Sequence, residues 1–258
     1  MRNFDFPAGN FAYVIHAATD SHASLQGNNP LLAFDTIVEG TRHTLEFARL
    51  AQTKSFLLVS SGAVYGKQPP TLSHIAEDYP CQPNLIHERS TYAVGKCTAE
   101  HLACLYANQY GLAVKIARCF AFVGPYLPLD GHFAIGNFIR DGLKGETITV
   151  NGDGTAYRSY LYATDLVIWL WTILFNGKTL HPYNVGSDET VSIAGLAQRI
   201  ATQFNPHLAV HIAKTPAEKN YPERYVPNVS RANQELGLVQ TIHLDQALES
   251  TIKWYREC

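Results

Sequence analysis

A short unbroken apolar run, Phe56-Leu-Leu-Val59, and a second stretch that reads as a buried strand, Ala113–Cys119, each follow a segment with helical spacing. The first segment is Leu31–Gln52, with apolar residues at Ile37, Leu45, Phe47, Ala48 and Leu50; the second is Thr91–Tyr110, stopped by Gly111. A strand that is apolar at every position has to be covered on both faces, and helices alternating with parallel strands supply that cover. Phe11–Ala17, with its run Ala-Tyr-Val-Ile, reads as a further buried strand. The pattern predicts an α/β chain on a doubly wound parallel sheet.

Beyond residue 125 the rhythm changes. Gly124-Pro125 and Pro128 break the pattern, Gly131–Leu143 has helical spacing, Thr147–Val150 is extended and Asn151-Gly-Asp-Gly154 is a tight turn. Asp165–Phe175 reads as a buried helix, Tyr183–Val185 as a last short strand and Ile193–Gln203 as another helix. These shorter elements predict a smaller lobe beside the sheet. There is no internal repeat, low-complexity segment or long linker.

Composition narrows the class. With 258 residues there is room for a substantial core, and a formal net charge of −2 gives no electrostatic footprint for nucleic acid. Hydrophobic residues at 46% against 16% charged exclude a disordered chain. The most apolar stretch, Val167–Phe175, is too short to cross a bilayer, and the amino terminus lacks a signal-peptide pattern. Five cysteines (Cys81, Cys97, Cys104, Cys119 and Cys258) are an odd number without C-x-x-C spacing. That argues against a zinc ribbon or a disulfide framework and for a reducing, cytoplasmic compartment. His16, His22, His74, His87 and His132 are scattered, with no H-x-x-x-H or H-E-x-x-H spacing among these five, so no metal site is expected from them.

The chemistry concentrates in two segments. Tyr92 and Lys96 are four apart on a predicted helix and therefore share a face. A phenol is a poor base at neutral pH, but an ammonium held beside it favours the phenolate. Tyr92 could then exchange a proton with a substrate hydroxyl or carbonyl. The second segment, Phe56-Leu-Leu-Val-Ser-Ser61-Gly-Ala-Val-Tyr-Gly66, carries Ser60 and Ser61 to the carboxyl end of a buried strand, where open parallel sheets bind ligands. Without a G-x-S-x-G elbow, Ser61 reads as a hydrogen-bond donor to a substrate oxygen rather than a nucleophile, and a serine hydrolase is disfavoured.

A strand ending Ser-Ser-x-x-Val-Tyr-Gly, followed about thirty residues on by Tyr-x-x-x-Lys, resembles the extended short-chain dehydrogenase/reductase family, more narrowly its NAD-dependent nucleotide-sugar epimerases and dehydratases. Further segments match in the family's order: His16-Ala-Ala-Thr19, Glu39-Gly-Thr41, Arg118-Cys-Phe-Ala-Phe-Val-Gly-Pro125, the stretch Asn151–Asp165 with Arg158, Asn184-Val-Gly-Ser187 and Ser230-Arg-Ala-x-x-Glu-Leu-Gly237. The resemblance covers essentially the whole chain. It implies a Rossmann-type domain over residues 1–125 and about 160–187, and a nucleotide-sugar lobe over about 126–159 and 188–258. It further implies NAD or NADP as cofactor, a nucleotide-diphosphate sugar as substrate and a homodimer formed through the Tyr92 helix.

By the same resemblance Tyr92 is the acid/base, Lys96 holds the nicotinamide ribose and lowers the tyrosine pKa, and Ser61 hydrogen-bonds the reacting oxygen. Ala17, Ala18, Thr19 and Ser60 would line the cofactor, and Ala121 the substrate. Arg158 would take the diphosphate with its planar fork, with Arg224 a second candidate for that role.

The chain also departs from the family pattern. No G-x-G-x-x-G or G-x-x-G-x-x-G is present, so the opening β-α-β-α segment, on the order of 50 residues, is expected to be missing and the Rossmann sheet incomplete. The alternative to an enzyme is therefore a truncated, cofactor-deficient relative that binds a sugar nucleotide or a full-length partner. In the 4,6-dehydratases an Asp-Glu pair follows the active-site Ser/Thr; here Gly62-Ala63 stand there, which ranks an epimerase or ketoreductase above a dehydratase. Ile37, Ala121 and Ser159 replace an Asn, an Asn and an Asp of the family pattern.

Overall fold

The computed structural model describes residues 2–19, 29–131, 133–204, 208–216 and 221–257. His22, His132 and Cys258 lie outside them. Four strands form one parallel sheet: β1 (Tyr13–His16), β2 (Ser55–Ser61), β3 (Val114–Cys119) and β8 (Pro182–Val185), side by side in the order β1-β2-β3-β8. The register brings Ser61 beside Cys119, and Cys119 beside Val185, so these three strands end at one level.

Helices cover both faces, as the apolar runs require. Phe56, Leu58, Val114 and Ile116 pack on one face against Ile37, Leu45 and Ala48 of helix α1 (Pro30–Leu50) and Ala99, Leu102 and Ala103 of α2 (Thr91–Tyr110). Leu57, Ala117, Tyr183 and Val185 pack on the other against Trp169, Ile173 and Leu174 of α4 (Ala163–Asn176) and Ala232 of α6 (Ser230–Leu236). The ends of α1 and α2 follow local chemistry. Asn29 accepts from the Leu32 amide at 3.0 Å ahead of Pro30, and Gly111 closes α2 in a left-handed conformation at φ 70°.

A second apolar cluster lies beyond the strand ends. It joins Ile135, Phe138 and Ile139 of α3 (Ala134–Leu143), Ile148 and Val150 of β5 (Ile148–Val150), Leu196, Ala197 and Ile200 of α5 (Ile193–Phe204), and Leu248 and Ile252 of α7 (Leu244–Glu257). Between the two clusters run the pairs β4 (Phe122–Val123) with β7 (Leu161–Tyr162), and β6 (Tyr157–Arg158) between β9 (Val191–Ser192) and β11 (Arg224–Tyr225). Strand β10 (Val210–Ile212) pairs with β5.

Two elements differ from expectation. Strand β1 is shorter than Phe11–Ala17 and is only partly buried: Tyr13 and Ile15 are 47% and 36% exposed. Among the described residues it pairs on one side only, and only the face carrying Val14 and His16 meets α1. Helix α4 is apolar all round but buried on one side. Trp169 and Ile173 face the sheet, whereas Val167, Ile168, Trp171 and Phe175 are half-exposed. No described helix is long and apolar enough to cross a membrane.

Candidate active site

A cavity of about 1160 Å³ opens between the strand ends and the second cluster. Ala17 and Thr19 after β1, Ser60 and Ser61 at the end of β2, Tyr92 and Lys96 of α2, and Cys119, Phe120 and Ala121 after β3 line one wall. Arg140, Asp141, Asn151–Gly154, Arg158 and Tyr225 line the other. Of the sequence-derived site residues, Ser60, Ser61, Tyr92, Lys96, Ala17, Thr19, Ala121 and Arg158 reach this one space. Ala18 and Arg224 do not line it.

Ser61 is the junction. Its oxygen accepts from the Ala63 amide at 3.1 Å, and its hydroxyl lies close enough to the Tyr92 and Tyr225 phenols to act on the ionisation of both. Burial raises both phenols above their ordinary range, with the Ser61 contact working the other way. That corrects the expectation for Tyr92: loss of water is its largest influence, and Lys96 is not what sets it. The Lys96 ammonium donates to the Val59 carbonyl at 2.8 Å and stands 5.7 Å from the Tyr92 ring centre, so it is aimed at the strand rather than at the phenol oxygen. Burial, the largest cause, brings the Lys96 pKa down to about 8.

Ser60 turns away from the reacting corner and donates to Glu100 at 2.6 Å. Glu100 holds Arg118 in a buried pair at 2.9 Å, and Arg118 also donates to the Tyr65 hydroxyl at 2.9 Å and the Glu77 carbonyl at 3.0 Å. Arg118, prominent in the sequence motif, is thus a structural hub behind the site. Asp165 is likewise structural: its carboxylate accepts from the Thr241 and Ile242 amides, both at 3.0 Å, and so fixes the start of α4.

Arg158 donates to Glu223 at 2.7 Å while lining the cavity. Arg224 is corrected as a candidate. In strand β11 successive side chains point to opposite faces, so Tyr225 enters the cavity while Arg224 stacks 4.4 Å over the Tyr157 ring. Tyr225 is the site residue that the sequence reading missed; the alternation of a strand around Glu223-Arg-Tyr225 was the available signal. Its ring packs 4.7 Å from Phe120. Phe120 is in turn clasped by two glycines. A Cβ at Gly62 would come within 2.6 Å of its ring, and one at Gly186 within 3.1 Å of its Cβ.

The profile of the NAD dependent epimerase/dehydratase family matches residues 5–186. The chain belongs to that family. Among similar family members, UDP-glucuronic acid decarboxylase 3 of Arabidopsis thaliana is 30% identical over 235 residues, covering 91% of this chain and 67% of the relative. UDP-glucuronic acid decarboxylase 1 of Danio rerio is 30% identical over 242 residues, 94% of this chain and 56% of the relative. The chain thus spans between about half and two thirds of the length of such decarboxylases. UDP-glucose 4-epimerase of Thermotoga maritima superposes with a TM-score of 0.85 at 22% identity, over 95% of this chain and 77% of its own. The dTDP-glucose 4,6-dehydratase DesIV of Streptomyces venezuelae, solved with NAD and TYD, gives 0.81 at 26% identity, over 95% and 73%. These matches confirm the Rossmann-like parallel sheet and the enzyme family.

The wall at the strand ends fits the nicotinamide end of NAD. Lys96 has three donor hydrogens, and among the described residues Val59 is its one hydrogen-bond acceptor, leaving donors for ribose hydroxyls inside the cavity. Ala17 and Ala121 are small enough to admit a flat ring. Among the described residues no group of three His, Cys, Asp or Glu side chains could hold a metal ion.

Proposed function

We propose that the chain binds NAD and a nucleotide-diphosphate sugar in this cavity and moves a hydride at a sugar carbon, as an epimerase or ketoreductase. The observation that carries the reading is the convergence of Tyr92 and Ser61 hydroxyls with the buried Lys96 ammonium at the strand ends. Bound NAD supplies the hydride acceptor and donor. Ser61 donates to the sugar oxygen and keeps it beside Tyr92. Tyr92 takes the proton of the sugar hydroxyl on oxidation in its phenolate form and, as the phenol, returns it on reduction, with Lys96 offsetting the charge of the phenolate form. Arg158 holds the diphosphate, exchanging part of its contact with Glu223 for phosphate oxygens.

Gly62 and Ala63, at the end of β2, carry no proton for the acid and base steps that remove water. That supports epimerase or ketoreductase over 4,6-dehydratase. The similarity to UDP-glucuronic acid decarboxylases favours a second reading, loss of CO2 from a nucleotide-linked uronic acid after oxidation beside the carboxylate. That route needs the same Tyr92, Ser61 and Lys96 and no additional base.

The test is NAD binding by calorimetry, followed by product analysis by NMR with UDP-glucose, dTDP-glucose and UDP-glucuronic acid supplied separately. A changed hexose stereocentre or a reduced keto sugar supports the first reading, and CO2 release from UDP-glucuronic acid the second. Tyr92→Phe is expected to lower turnover by about 100-fold or more while leaving NAD affinity within about threefold. A chain that binds a sugar nucleotide but no NAD would leave only a non-catalytic relative.

A further inference from the structure

Cys81 and Cys97 have no part in the chemistry above, yet the fold brings them together. Cys97 follows Lys96 on α2 and packs beside Val64, Tyr65, Ile75 and Phe120. Cys81 lies in the exposed loop after Tyr79, and the two thiols are neighbours that act on each other's ionisation. The loop is held in place. A Cβ on Gly66, at φ 70°, would meet the Gln82 carbonyl at 2.4 Å, and the Tyr79 ring packs 6.5 Å from Tyr65. The second guanidinium nitrogen of Arg118 sits 3.5 Å from the Cys81 sulfur. The groups around the pair are therefore one cation, Arg118 from β3, and one carboxylate, Glu100 from α2, which is itself committed to that cation at 2.9 Å.

We propose that Cys81 and Cys97 form a redox-modifiable pair, in which Cys81 is the attacking thiolate and Cys97 the resolving thiol. Cys81 is exposed and has a cation at its sulfur; Cys97 is partly buried, with its S–H also near the Val64 carbonyl at 3.7 Å. The contact with Cys97, and after it the charge of Arg118, hold the Cys81 pKa down to about 7, whereas Cys97 is raised. A thiolate next to a cation at neutral pH is the reactive form of cysteine. The oxidant is a low-molecular-weight disulfide, RSSR. The Cys81 thiolate attacks one of its sulfurs, the S–S bond breaks, a Cys81–SR mixed disulfide forms and RS⁻ leaves. Cys97 gives its proton to solvent and attacks the Cys81 sulfur, releasing the second RS⁻. Two protein thiols are oxidised, one small disulfide is reduced to two thiols, and the new bond staples the loop to the turn of α2 that carries Lys96.

The test uses the full chain with oxidised glutathione at pH 7.5, followed by intact mass and peptide mapping. The wild type is expected to pass through a glutathione adduct on Cys81 to a product lighter by two hydrogens, with Cys81 and Cys97 in one crosslinked peptide. Cys97→Ser is expected to stop at the adduct, and Cys81→Ser to give neither species. Should a variant not fold, alkylation of the wild type by iodoacetamide, followed peptide by peptide against pH, gives an independent reading. The Cys81 rate is expected to turn over near pH 7, against roughly 8.5 for an ordinary cysteine. Glutathione settling on Cys104 while Cys81 stays free, an adduct on Cys81 that Cys97 never displaces, or a Cys81 midpoint near the ordinary value would each overturn the proposal.

Discussion

Ser61 has one hydroxyl hydrogen and two lone pairs, and the Ala63 amide already occupies one of the lone pairs. What remains faces the Tyr92 and Tyr225 phenols. Tyr225 therefore helps orient the Ser61 hydroxyl before a sugar oxygen arrives. Tyr225→Phe is expected to lower kcat about five- to tenfold, in line with one lost neutral hydrogen bond, while the Tyr92→Phe loss stays much larger; steady-state kinetics on both variants checks the ratio. His16 makes a different prediction. Thr41 donates its hydroxyl to the Ile37 carbonyl at 2.7 Å, so it accepts from His16 Nε2 at 3.1 Å, and this assigns the His16 hydrogen to Nε2. Nδ1 is then a buried acceptor without a partner among the described residues. Burial first, and Lys96 second, lower the His16 pKa to about 4. Because the unfolded chain takes up this proton first, stability is fully present above the unfolded value of about 6.5 and is lost as pH falls through about 4. His16→Gln keeps a donor for Thr41 without the titration. Between pH 7 and pH 4 the wild type is expected to lose about 3 kcal/mol more than the variant, read from urea midpoints.

Several elements meet through buried charge behind the site. Glu100 of α2, Arg118 of β3, Ser60 of β2 and the loop carbonyl of Glu77 form a single network. Glu100→Gln leaves the Arg118 charge without its counter-ion and is expected to cost about 3–5 kcal/mol, seen as a large fall in Tm. This network also shows what the sequence could and could not reveal. Strand β2 was legible because Phe56, Leu57 and Leu58 are each 0% exposed and no polar residue interrupts them. Helix α2 was legible because Gly111 can only end it. Strands β4, β6, β7, β9 and β11 are two residues each and exist because a partner strand lies beside them, so no local pattern announces them. Helix α7 does carry a stripe of Leu244, Ala247, Leu248, Thr251 and Ile252, diluted by the charged residues between. That Ser61, Tyr92 and Lys96 line one cavity was legible from the strand end, the four-residue spacing and the family resemblance taken together. The dominance of burial over Lys96 at Tyr92, and the arrival of Tyr225 from a strand well over a hundred residues away, belong to tertiary structure and leave no trace in spacing.

Across the whole molecule, the cavity joins the parallel sheet to the second apolar cluster, and a ligand filling it touches both. UDP present at about 100 times its Kd is expected to stabilise the chain by about 2.7 kcal/mol, measured by chemical denaturation with and without nucleotide. Arg158→Ala should abolish most of that gain. Its effect on the free protein should stay within about 1 kcal/mol, since the Arg158–Glu223 pair is partly solvated, with Glu223 58% exposed. The clasp on Phe120 reaches further than stability. Gly62, Phe120 and Gly186 belong to three separate parts of the chain, yet no side chain can be added at Gly62 unless the aromatic ring shrinks or moves, and one at Gly186 would meet Pro227 at 2.9 Å as well as the Phe120 Cβ. Variation among descendants of this sequence should therefore be linked at positions 62 and 120: a bulkier residue at 62 is tolerated only where residue 120 has already become smaller, so the order of those two changes is constrained, while 186 stays closed by Pro227 whatever stands at 120.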